Sequence, residues 1–155
     1  MQHGHTEGEF AGFHRCLRTR FSHLFRSWLP EASTSNAPIE DIEGFGPKGI
    51  SGTLSGVNAK GWPGGWHTDP AALDGGLQLA VLWDREMLDG AFLPTGIGAY
   101  VPHQRANADG PLRCIVSGKT VGKDRSITDI LFTDADGLPV AELRGVETHR
   151  RPSGV

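Results

Sequence analysis

The chain has 155 residues, 37% of them hydrophobic, enough for one domain and too few for two independent cores. Fifteen Lys and Arg (15) stand against 18 Asp and Glu for a formal net charge of −3, so no basic field exists to hold nucleic acid or an anionic membrane. The 22 glycines and 10 prolines favour turns and short strands over a bundle of helices.

The start, Met1-Gln2-His3-Gly4-His5, lacks the basic and then apolar pattern of a secretory signal. Phe13, Leu17, Phe21, Leu24, Phe25 and Trp28 recur at spacings of three and four, which predicts an amphipathic N-terminal helix with Arg15, Arg18, Arg20 and Arg26 on its other face. Such a helix could touch a membrane or a partner, or cover a neighbouring surface of its own domain. Pro30 stops it, and residues 32–38 read as a linker. The expected division is residues 1–38 for helix and linker and 39–152 for the folded domain.

Ile50 to Val57 alternates as a half-buried strand does. The loop from Gly61 to Trp66 follows, with Trp62 and Trp66 placed either to line a substrate mouth or to cover the end of a helix. Asp69-Pro70 then opens a helix that runs to Gly90: Asp69 suits the N-cap, and Pro70 costs nothing in the first turn. Ala71, Ala72, Leu73, Leu77, Leu79, Ala80, Val81 and Leu82 nearly encircle it, which predicts a buried helix. Four strands are expected after it, over 96–101, 112–119, 127–133 and 139–147, joined by turn residues into an antiparallel meander, with a frayed tail from Arg150. One buried helix wrapped by such a sheet is an α+β arrangement, a single hot-dog fold.

Within that helix Asp74 and Gln78 are four residues apart and share a face, so both can reach one bound group. An aspartate among apolar neighbours is desolvated and its pKa raised, a property suited to a general acid; equally, Asp74 could cap a turn or pair with an arginine. Gly75-Gly76 costs roughly 2 kcal/mol of helix propensity relative to alanine, which makes sense if another backbone or an extended ligand comes close.

The segment Asp69 to Gln78 resembles the DPxxLDxxxQ helix motif in the second hot-dog half of polyketide synthase dehydratase domains. Gly44-Phe45-Gly46-Pro47 resembles the YGP turn that stands before that half's first strand. Leu93-Pro94, followed by a strand ending at His103, resembles the segment after the helix, and Asp136 to Glu147 resembles the closing DGxxVAEL hairpin. The resemblance covers about residues 42–152, and the Leu93 to Gly98 form is similar to large iterative lipid and polyketide synthases. It implies loss of water from a β-hydroxyacyl thioester carried on the phosphopantetheine arm of an acyl carrier protein. Asp74 is then the acid that protonates the leaving hydroxyl and Gln78 the residue that orients it. Phe45, Gly46, Pro47, Pro70, Leu73, Leu77 and Pro94 would lie along the substrate. No metal or organic cofactor is implied.

The resemblance also implies a histidine base in an HxxxGxxxxP motif of the first half. None of the seven histidines has glycine four residues on. The base is therefore expected from a first half on another polypeptide or in sequence upstream of Met1, or the chain pairs with itself; His67, two residues before the N-cap, could approach a partner's site in such a dimer. Phe45 stands where the family has tyrosine and Gly49 where phenylalanine is usual. Two alternatives stay open: an inactive acyl-binding or structural module of a megasynthase, and a homodimeric hot-dog thioesterase with Asp74 as base or nucleophile. His3 and His5 lack a third ligand for a metal. Cys114 reads as a core residue, Cys16 lacks a catalytic partner arrangement, and two distant cysteines fit a reducing cytoplasm.

Overall fold

The computed structural model describes residues 38–104 and 109–153. The expected N-terminal helix, most of the linker, Cys16, His3 and His5 lie outside the described residues. Among the described residues six strands and two helices follow in the order β1 (Ile39–Gly46), β2 (Gly49–Leu54), α1 (Val57–Lys60), α2 (Pro70–Leu88), β3 (Phe92–Pro102), β4 (Leu112–Val121), β5 (Arg125–Thr133) and β6 (Pro139–Arg150). All strands form one antiparallel sheet in the spatial order β1-β2-β4-β5-β6-β3, with α2 laid across one face.

The helix forms where the sequence caps it. Asp69 is the N-cap, its Oδ1 accepting from the Ala72 amide at 2.9 Å, and Pro70 occupies the first turn. Its C-terminal end is closed by Arg150: the guanidinium donates to the Leu88 and Asp89 carbonyls at 2.9 and 2.6 Å, pairs with Asp124 at 2.8 Å and lies 5.0 Å from the Phe92 ring centroid. Leu79, Ala80 and Trp83 of α2 are fully buried against Leu54, Cys114, Val116, Ile130, Phe132 and Val146 of the sheet. Among the described residues no helix is long and apolar enough to cross a membrane.

Four expectations are corrected. A strand, β1, contains Gly44-Phe45-Gly46 and leads into the turn at Pro47; Glu40, Asp41 and Glu43 hide it in the sequence, because an edge strand tolerates charge on its open side. β2 ends at Leu54, since Val57 begins the short helix α1 and its amide is held by Asp69 Oδ1 at 2.9 Å. The last four strands are not a simple meander: β4 is claimed by β2, with Ile50 opposite Val116 and Gly52 opposite Cys114, so β3 pairs instead with β6 at the far edge. Arg150 ends β6 as the clamp on α2 rather than opening a frayed tail.

Gly75 and Gly76 are explained by the domain's own sheet. A Cβ on Gly76 would lie 2.6 Å from Cζ of Phe132, and one on Gly75 2.9 Å from Cδ2 of Leu54. The pair lets α2 settle onto the sheet, so the neighbours that come close are core side chains and not a ligand.

Candidate active site

One side of α2 is left without a covering layer. Ala71, Ala72, Gly75, Gly76, Leu79, Ala80, Leu82, Trp83 and Asp84 are buried, whereas Leu73, Leu77, Gln78 and Val81 are half-buried and Asp74 is exposed. Leu73 and Leu77 pack against the margin of the core, giving an apolar strip with two polar groups beside it. The edge strand β3 continues this uncovered region, with Leu93, Ile97 and Tyr100 exposed.

Asp74 and Gln78 meet as their spacing predicts. The Gln78 amide Nε2 donates to Asp74 Oδ2 at 2.8 Å, while Gln78 Oε1 is buried with no hydrogen-bond partner. The apolar neighbours desolvate the Asp74 carboxyl and raise its pKa above the ordinary 3.8; the Gln78 hydrogen bond opposes the rise without cancelling it. Both hold although Asp74 is exposed in the single chain. A carboxyl so placed can hold and release a proton, and the amide beside it can orient an oxygen.

The other residues named from the sequence separate into three groups. Leu73 and Leu77 lie on the apolar strip of α2, Phe45 packs against the core from β1, and Pro70 is half-buried at the helix start. Gly46 offers its carbonyl to the Trp83 indole at 2.9 Å. Pro47 and Pro94 are exposed, Pro94 on β3 opposite Thr148. At the N-terminal end of α2 a small cleft gathers His67, Asp69, Leu73, Tyr100 and Gln104. His103 is bonded to Glu142 at 2.7 Å and His149 to Thr95 at 2.5 Å, so neither serves Asp74. Trp66 is exposed and Trp62 half-buried. Among the described residues no three His, Cys, Asp or Glu side chains converge as a metal site.

Two features were not legible as pairs in the sequence. Trp83 and Gly46 are 37 positions apart. Asp84, fully buried, has Oδ2 bonded to the Thr148 hydroxyl, which also contacts that of Ser126 at 2.8 Å; burial raises its pKa against the lowering effect of these hydroxyls, and Oδ1 has no partner. An acid placed directly after the apolar run from Leu79 to Trp83 was the available signal.

A long helix carried on an antiparallel sheet of this strand order defines a single hot-dog domain. The chain belongs to the polyketide synthase dehydratase family: the family model described as the polyketide synthase dehydratase N-terminal domain matches residues 38–155. The dehydratase domain from the CurJ module of the curacin polyketide synthase aligns with a TM-score of 0.59 and 18% identity, over 96% of this chain and 55% of that one. An enoyl-isomerase of a trans-acyltransferase polyketide synthase aligns at 0.56 and 20% identity, over 72% of this chain and 44% of the other. A mutant thioesterase from Pseudomonas aeruginosa aligns at 0.60 and 14% identity, over 83% and 91%. The chain thus spans about half the length of the polyketide synthase structures it resembles, and at these identities the likeness shows the fold. No curated protein matches the chain.

Proposed function

We propose that the chain is the aspartate-bearing half of a dehydratase that removes water from a β-hydroxyacyl thioester on an acyl carrier protein. The observation that carries this reading is the Asp74–Gln78 pair on the open apolar side of α2, with the Asp74 pKa raised by desolvation. In the reaction a base takes the α-proton, the carbon–carbon double bond forms, and the β-hydroxyl leaves as water with the proton donated by Asp74. Gln78 orients the departing oxygen, and no metal or organic cofactor enters the scheme. The family model's label names an N-terminal domain; the assignment to the second half follows the residues from Asp69 to Gln78.

The base is supplied by a second hot-dog. The half-buried strip of Leu73, Leu77 and Val81 and the exposed β3 edge offer that partner a continuous surface. Covering the strip removes water from around Asp74 and raises its pKa further, which strengthens it as a proton donor at neutral pH.

The test is to co-express the chain with a histidine-bearing first half and follow water loss from a β-hydroxyacyl carrier protein by mass spectrometry. The pair is expected to be active and the chain alone inactive. Asp74→Asn and Asp74→Ala should each lower the rate by roughly a hundredfold or more. Activity surviving both substitutions overturns the reading. The structural likeness to a thioesterase supports a second reading, a self-paired chain that hydrolyses acyl thioesters. Release of free acid from acyl-coenzyme A by the isolated chain, lost in Asp74→Ala, would favour it.

A further inference from the structure

The carboxyl that starts α2 uses only one of its two oxygens. Asp69 Oδ1 accepts from the Ala72 amide and from the Val57 amide, each at 2.9 Å, and so ties the first turns of α2 and α1 together. Asp69 is 6% exposed, and its Oδ2 is buried with no hydrogen-bond partner among the described residues. A buried acceptor without a donor is costly, and native structures supply one from the protein or from water.

Space for that donor lies beside the oxygen. Asp69 lines the cleft at the N-terminal end of α2 together with His67, Tyr100, Gln104 and Leu112. A Cβ on Gly56 would stand 2.5 Å from Asp69 Oδ2 and 3.7 Å from Leu112 Cδ1, so the bare Cα of Gly56 keeps this place clear. The cavity volume is about 20 Å³. One water needs roughly 10–15 Å³, whereas a ligand pocket starts at about 300 Å³. The Gln104 amide nitrogen is already taken by the Asp134 carboxyl at 3.2 Å and the Pro139 carbonyl at 3.4 Å, which leaves the Gln104 oxygen, the Tyr100 hydroxyl and the His67 ring as polar groups of the wall. The positive end of the α2 dipole disfavours a cation here, so the donor is neutral.

We infer that Asp69 Oδ2 and the cleft beside it form a binding site for a single water molecule, which donates one hydrogen to Oδ2 and bridges the start of α2 to the polar groups at the end of β3. The site lies apart from the Asp74–Gln78 pair and does not depend on the reading of that pair. At this size the cleft admits one water and no acyl chain.

The experiment joins a crystal structure of the full chain to oxygen-17 relaxation dispersion in solution, which counts waters held longer than those of the surface. The crystal should show a water about 2.6–3.2 Å from Asp69 Oδ2. Gly56→Ala sets a methyl beside that oxygen; Gly56 has φ −80° and ψ 175°, a conformation open to alanine, so the change is steric and not conformational. The count of held waters should fall by one in this variant. Asp69→Asn keeps an oxygen for the Ala72 and Val57 amides and puts an NH2 group in place of Oδ2. Water accepts as readily as it donates, so it should stay in Asp69→Asn with the count unchanged, whereas a bound cation would leave. No water at Oδ2 in the crystal, an unchanged count in folded Gly56→Ala, or a lost water in Asp69→Asn overturns the inference. Should Gly56→Ala fail to fold, the crystal and Asp69→Asn decide it between them.

Discussion

Replacing Gly76 with alanine tests whether the glycine pair serves packing. In an uncrowded helix the change gains about 1 kcal/mol from propensity. Here the new Cβ meets Cζ and Cε1 of Phe132 at 2.6 and 2.8 Å and Cγ2 of Ile130 at 3.1 Å. Phe132 and Ile130 are each about 1% exposed, so neither side chain can swing aside into solvent. Overpacking of this kind costs typically about 1–3 kcal/mol, which outweighs the gain and leaves a net loss of up to about 2 kcal/mol. The assay is equilibrium unfolding in urea, followed by circular dichroism. Phe132→Leu shortens the ring and should reverse the sign, so that Gly76→Ala stabilises by about 1 kcal/mol in that background. A rise in stability from Gly76→Ala in the natural sequence would refute the packing account and return the glycines to the role of admitting a ligand.

Arg150→Met should lower stability by roughly 1–2 kcal/mol in the same assay, because it removes the donors that close the last turn of α2, and Arg150→Lys should restore little, since one ammonium cannot reach several carbonyls and Asp124 together. Asp84 has its pKa raised in the folded chain, so its contribution to stability is full below the unfolded value of 3.8 and is lost as pH climbs through the folded midpoint. Asp84→Asn should remove that part of the pH dependence, read from unfolding midpoints between acid and neutral pH; an unaltered profile would show that the group is already solvated. In the assembled enzyme, turnover should fall as pH rises through the Asp74 midpoint, because only the protonated carboxyl can donate.

The parts of this structure legible in the sequence are those written in local chemistry. The cap at Asp69-Pro70 and the apolar run beyond it announce α2, and the four-residue step from Asp74 to Gln78 announces their hydrogen bond. What was not legible depends on distant partners. β1 carries three acids and no alternation, and it becomes a strand because β2 turns back onto it. β3 begins at Phe92, ahead of the expected Gly96, and its place beside β6 is decided by β2 having taken β4. Gly75-Gly76 signalled a close approach, but only the folded sheet shows that Leu54 and Phe132 make it. The Trp83–Gly46 bond joins two segments that nothing in either sequence stretch links.

The account depends most on the protonation of one carboxyl. A carbon-13 NMR titration of the Asp74 carboxyl, in the chain alone and paired with a histidine-bearing first half, measures it directly. The midpoint should lie above 3.8 in the chain alone and rise further when the partner covers Leu77 and Val81. A midpoint at or below 3.8 in both states would contradict the assignment of Asp74 as the proton donor.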